Sequence, residues 1–160
     1  MMLLKKTELK PLFISILIPI FIGGLSALIS MGAMSGYSGL EKPPLSPPAW
    51  LFPIVWSVLF VLMGVASFLV YNSEGSEEDV REALVLYGLQ LLFNFLWSII
   101  FFNLKLYTLA FVWLLALLVL VITTAVSFYK ISKPAGLLLV PYILWIIFAG
   151  YLNLLIAILN

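Results

Sequence analysis

The chain has 160 residues and a formal net charge of +1; 64% of its residues are hydrophobic and 9% charged, with a mean hydropathy of +1.22. That composition lies outside the range of a soluble globular domain, and the near-neutral charge gives no electrostatic case for nucleic acid. With neither cysteine nor histidine, the sequence excludes disulfides, thiolate chemistry, zinc sites, haem held by His or Cys, and Ser/His/Asp or Cys/His catalysis.

Charges fall only at positions 5–10, 41–42, 74–82, 105 and 130–133. They leave five uncharged runs, each longer than the roughly 18 residues that mark a spanning helix. The sequence therefore predicts an all-α membrane protein, a bundle of five transmembrane helices at about 9–34, 47–71, 81–102, 106–129 and 134–158, forming one domain over 1–160. The first run extends uncharged from Pro11 to Leu40 without an A-x-A-like site, longer than a signal-peptide core, and is expected to be retained.

Within the first span, Gly23 and Ala27 form a small-xxx-small pair of the kind that lets membrane helices approach closely, and a packing role is preferred to a ligand role. The loop that follows reads KPPLSPPAWLFPIVW from Lys42 to Trp56, with five prolines in fifteen residues. Each proline fixes its own φ and biases its predecessor away from the α region, so the stretch is predicted to be stiff and extended before helix 2 starts at Pro47 and Pro48. Trp50, Pro53, Ser57, Phe60 and Gly64 then share one helical face, with Pro53 bending the helix or ending its first turn. Trp50 and Trp56 read equally well as belt residues at headgroup depth or as part of a site.

The acidic run from Glu74 to Glu82 reads as a solvated turn followed by the first turn of helix 3, where the helix dipole favours carboxylates. On helix 3, Tyr87, Gln90, Asn94 and Trp97 fall within about 80° of one another. Amides in an apolar span must face protein, water or ligand, and interhelical bonding and ligand contact are equally compatible with the pattern. Helix 4 is rich in Leu and Val and reads as packing and lipid-facing surface. Helix 5 places Tyr142, Trp145, Ala149, Leu152 and Asn153 on a broad face, with Pro141 set to bend it.

Lys5, Lys6, Lys10, Arg81, Lys130 and Lys133 lie on one side of the membrane, Lys42 and Lys105 on the other; six against two predicts the amino terminus inside and the proline loop outside. No inverted repeat is visible, and an odd number of spans argues against a simple two-fold transporter.

Three stretches carry a specific resemblance: GYSGLEKPPLSPPAWLFPIVW from Gly36, LYGLQLLFNFLWSIIFF from Leu86 and PYILWIIFAGYLN from Pro141. Together they resemble the translocator protein (TspO/MBR, peripheral-type benzodiazepine receptor) family over nearly the whole chain. The resemblance implies a five-helix bundle, usually dimeric, with a ligand cavity in each protomer closed by a lid loop between helices 1 and 2. It implies binding of protoporphyrin IX or a related tetrapyrrole and of synthetic isoquinoline carboxamide or benzodiazepine-type ligands, and, in some bacterial members, light- and oxygen-dependent porphyrin breakdown. Mapped by motif, the implied ligand-binding residues are Tyr37, Pro47, Trp50, Gln90, Asn94, Trp97, Trp145, Ala149 and Leu152, with Trp50 and Trp145 as candidate reactive groups.

The expected function is thus a receptor or sensor for porphyrins in the cell membrane, as a homodimer without resident cofactor or metal. A porphyrin transporter and a noncatalytic membrane scaffold are the rival readings. No charge lies mid-span to couple transport to ions, and stacking on tryptophan suits a flat macrocycle. Two departures point to a bacterial-type member with doubtful sterol binding. No basic residue follows Tyr151, as the family's cholesterol pattern requires, and Leu45 and Gly36 stand where animal members have aromatic residues.

Overall fold

The computed structural model describes residues 6–160, in which every regular element is helical. The helices are α1 (Lys6–Met34), α2 (Leu51–Tyr71), α3 (Glu77–Ser98), α4 (Tyr107–Ile131), α5 (Lys133–Leu138) and α6 (Val140–Leu159). A 3-10 turn, Ser35–Gly39, follows α1, and a π turn, Ile99–Asn103, extends α3. Five spans among the described residues are long and apolar enough to cross a membrane, α5 and α6 together making the fifth. The protein is an integral, multi-pass membrane protein. Lys5, one of the basic residues behind the predicted orientation, lies outside the described residues.

The boundaries differ from the sequence-based ones where local chemistry decides. Helix 2 starts at Leu51 and not at Pro47, because the loop turns twice first: Ser46 N donates to the Pro43 carbonyl at 3.3 Å and Leu51 N to that of Pro48 at 3.0 Å. Between those prolines Leu45 takes φ 68°, the left-handed region. Pro53 falls in the first turn of α2, where a missing N–H costs nothing.

Helix 3 gains a turn at its start. Ser76 caps it, its hydroxyl accepting from Asp79 N at 3.2 Å, and Glu77, Glu78 and Asp79 sit at the positive end of the dipole. The fifth span is interrupted at Leu139, two residues before Pro141, whose ring removes the backbone donor that would have bonded back to Leu137.

Helix α4 runs through the bundle, touching α3, α5 and α6, while α1 lies at the periphery against α2 and part of α3. The core between them includes Met63, Phe128, Tyr142 and Ile146, all buried. Small residues set the closest approaches. A Cβ on Gly64 would stand 2.4 Å from the Ile16 Cα, so α1 and α2 touch nearly backbone to backbone there, and one on Gly23, two turns farther along α1, would enter the ring of Phe60.

Candidate ligand-binding cavity

Beyond the Gly64–Ile16 contact, toward the proline loop, the bundle holds a cavity of about 500 Å³. Its walls come from α1, α2, α3, the π turn and α6, and none of its lining side chains is charged. Two aromatic stacks form much of it: Trp56 on Phe60, ring centroids 5.5 Å apart, and Trp97 on Phe101 at 5.3 Å. Tyr37 closes the loop end, its ring edge-on to Phe102 at 6.1 Å and to Phe52 at 6.3 Å. The π turn brings both phenylalanines to the cavity. The widened turn, closed by Leu104 N to the Ile99 carbonyl at 3.0 Å, takes in an additional residue and brings Phe101 and Phe102 to the wall together.

The polar groups in the wall are mostly engaged with protein. Asn94 donates its amide to the Tyr142 hydroxyl at 2.8 Å; that hydroxyl donates to Gln90 Oε1 at 2.9 Å. The Trp97 indole N–H donates to Asn153 Oδ1 at 3.1 Å, and Asn153 donates onward to the Tyr107 carbonyl at 2.8 Å. Ser30 donates to Asn103 Oδ1 at 2.9 Å, and Ser57 to the carbonyl of Pro53 at 2.7 Å. With most of its donors already used, the wall presents chiefly aromatic and aliphatic surface, suited to holding a flat apolar molecule by stacking. It offers no carboxylate, amine or thiol for acid–base or nucleophilic chemistry.

The lid is tied down by side chains distant in sequence. The Tyr151 hydroxyl donates to the Pro44 carbonyl at 2.9 Å. The Asn160 side chain pairs with the backbone of Glu41, accepting from its N–H and donating to its carbonyl, each at 3.0 Å. The Lys42 ammonium lies 5.0 Å from the centroid of the Tyr37 ring.

Of the nine residues expected at the site, Tyr37, Asn94, Trp97, Ala149 and Leu152 come together on the cavity wall. The other four lie elsewhere. Gln90 is buried one helical turn from Asn94, behind Tyr142. Trp145 stands behind Phe52, centroids 5.9 Å apart, its indole N–H buried without a partner among the described residues. Pro47 is half-buried in the loop, and Trp50 is 65% exposed outside the cavity. Tyr87, on the same wheel sector as Asn94, packs against Phe128 instead.

The residues mapped by resemblance omit Trp56, Phe101, Phe102 and Asn153, all lining residues; of these, Trp56 reads from the sequence alone as either a belt or a site residue. Asn153 carried a signal, an amide in an apolar span, as did Trp56; nothing in the sequence announced the π turn. Gly23 and Ala27 also reach the wall, in addition to the close packing at Gly23.

The sequence matches the TspO/MBR family over residues 15–159. It is similar to the "Tryptophan-rich protein TspO" of Chlorobaculum tepidum, 41% identical over 124 residues that make up 78% of each chain. It is 35% identical to the "Tryptophan-rich sensory protein" of Cereibacter sphaeroides over 83% of this chain and 84% of that one. It is 36% identical to the "Translocator protein" of Bos taurus over 86% of this chain and 82% of that one.

Proposed function

From the premise that this chain belongs to the TspO/MBR family, we propose that it is a membrane receptor or sensor whose bundle cavity binds protoporphyrin IX or a related planar, apolar tetrapyrrole. The observation that carries this reading is the cavity itself: about 500 Å³, uncharged, and walled by two aromatic stacks within a membrane bundle. Its volume falls in the ordinary range for small-molecule sites, roughly 300–1,000 Å³. The names of the relatives, a sensory protein and a translocator protein, support a ligand-responsive membrane role. Synthetic isoquinoline carboxamide or benzodiazepine-type ligands belong to the same proposal, as do a homodimeric assembly and an amino terminus facing the cytoplasm.

Light- and oxygen-dependent breakdown of the bound porphyrin is the secondary activity in this reading. Excited porphyrin passes its energy to dioxygen, and the nearest indoles are the protein groups exposed to what forms. Trp56 and Trp97 border the cavity, Trp145 is one ring removed and Trp50 is outside, so involvement is expected to fall in that order.

Titration of the purified protein with protoporphyrin IX in the dark, followed by quenching of its tryptophan emission, tests the binding. Saturable quenching is expected. Linear, non-saturating quenching would remove the receptor reading and leave a noncatalytic scaffold. Illumination of the saturated complex then tests the chemistry, which requires a product absent from porphyrin illuminated without protein.

A further inference from the structure

We propose that the cavity is loaded sideways from the bilayer, through a portal between α1 and α2 at mid-span, by amphiphiles whose apolar body is dissolved in the hydrocarbon layer. This rests on the binding role assigned to the cavity above.

The two long walls of the cavity differ in exposure. Every lining residue from α3, the π turn and α6 is buried or half-buried. The exposed lining residues belong to α1, α2 and the ends of the loop joining them. On α1 they include Ile20, Gly24 and Ala27, and on α2 Pro53, Ser57 and Val61, with Ile20 38% and Val61 39% exposed. Exposure of lining residues confined to two adjacent helices is what an opening along their shared edge produces. The opening is therefore the seam between these two helices.

The seam has a physical origin. Gly64 packs on Ile16 and Gly23 on the Phe60 ring, and past these contacts toward the loop the exposed lining residues Gly24, Ala27 and Ser57 on the rim carry only short side chains. Gly24, on that rim, has no atom within 4 Å of where a Cβ would sit. Ile20 to Ala27 lie in the middle of α1, in a run without charge from Pro11 to Leu40, so the portal faces hydrocarbon and not headgroups. The route through the lid is obstructed by comparison. It requires the Tyr151–Pro44 bond, both Asn160–Glu41 bonds and the Lys42–Tyr37 contact to break. Lateral loading breaks none of these and spares an apolar ligand a return to water.

Because the chain has no cysteine, an Ala149→Cys variant can carry a single nitroxide on the deep wall of the cavity. In vesicles without ligand, the label is expected to collide freely with dissolved oxygen and poorly with a water-soluble nickel chelate. Access by the chelate, or by neither reagent, overturns the portal. A second measurement follows protoporphyrin IX entering and leaving the full-length protein in vesicles. Gly24→Phe/Ser57→Phe, which fills the rim, is expected to slow both directions about tenfold, whereas a merely damaged site would release faster. Tyr151→Phe/Asn160→Ala, which frees the lid, is expected to leave both rates unchanged. Unchanged rates in the rim variant, or faster loading in the lid variant, overturns the proposal. If the wild type fails to bind protoporphyrin IX, the receptor reading falls, and the nitroxide measurement still decides the portal.

Discussion

The hydroxyl of Tyr142 on α6 donates to Gln90 Oε1 on α3 at 2.9 Å, and in the same position it accepts the Asn94 amide at 2.8 Å. One phenol thus serves two amides in an apolar span, where Gln90 has besides it only the Met63 sulfur, 3.9 Å from its Nε2. In Tyr142→Phe both lose their partner, with a cost of about 1–2 kcal/mol, since interhelical bonds in membranes average less than those in water-soluble cores. Gln90→Leu added to it should recover part of that loss, because one stranded amide is removed. Reversible unfolding in mixed detergent micelles measures both; a double variant whose loss equals the sum of the singles would mean the residues act independently.

The same network shows how far the sequence could be read. Five spans were legible because charges occur only at their ends, and a buried role for Gln90 and Asn94 followed from their polarity. Their separate roles did not follow. Residues four apart differ by only about 40° around a helix, so periodicity places both on one face without saying which meets the cavity and which a neighbouring helix. Trp145 and Ala149 repeat the case on α6, where depth in the bundle, set by tertiary packing, decides that Ala149 lines the cavity and Trp145 sits behind Phe52. The start of α2 at Leu51 and the π turn at Ile99–Asn103 depend on loop hydrogen bonds that composition does not encode.

Two glycines should respond oppositely to the same change. At Gly64 an added methyl meets Ile16 backbone 2.4 Å away, which α1 can relieve only by moving. Gly64→Ala is expected to destabilise by about 1–3 kcal/mol through overpacking. Gly24 has open space around it, and Gly24→Ala should be neutral or stabilise by up to about 1 kcal/mol through helix propensity. Thermal unfolding of the two variants in one detergent provides the comparison; equal shifts would contradict the described α1–α2 contact.

The lid offers a local prediction. Tyr151 and Asn160 hold Pro44 and Glu41 through side-chain bonds and belong to α6 and the residue after it, not to the loop. Tyr151→Phe/Asn160→Ala should therefore raise amide exchange at Glu41, Lys42 and Leu45 while leaving protection in α2 and α6 unchanged. Exchange that stays slow in the loop would show that its prolines alone hold it, and general loss of protection would show that the two residues support the bundle as a whole.

For ligand binding, position relative to the cavity should outweigh residue type. Trp97 lies on the wall, stacked on Phe101 and bonded through its indole to Asn153, whereas Trp50 is exposed outside it. Trp97→Phe loses part of the stacking surface and frees the Asn153 carbonyl, and is expected to weaken protoporphyrin IX binding by about 1 kcal/mol, roughly fivefold. Trp50→Phe should leave the dissociation constant within about twofold, as expected for a substitution that touches no ligand. Titration by porphyrin absorbance avoids the change in tryptophan content between variants. A reversed order, with Trp50→Phe the more harmful, would mean that the loop folds inward over the ligand and that Trp50 joins the site only in the bound state.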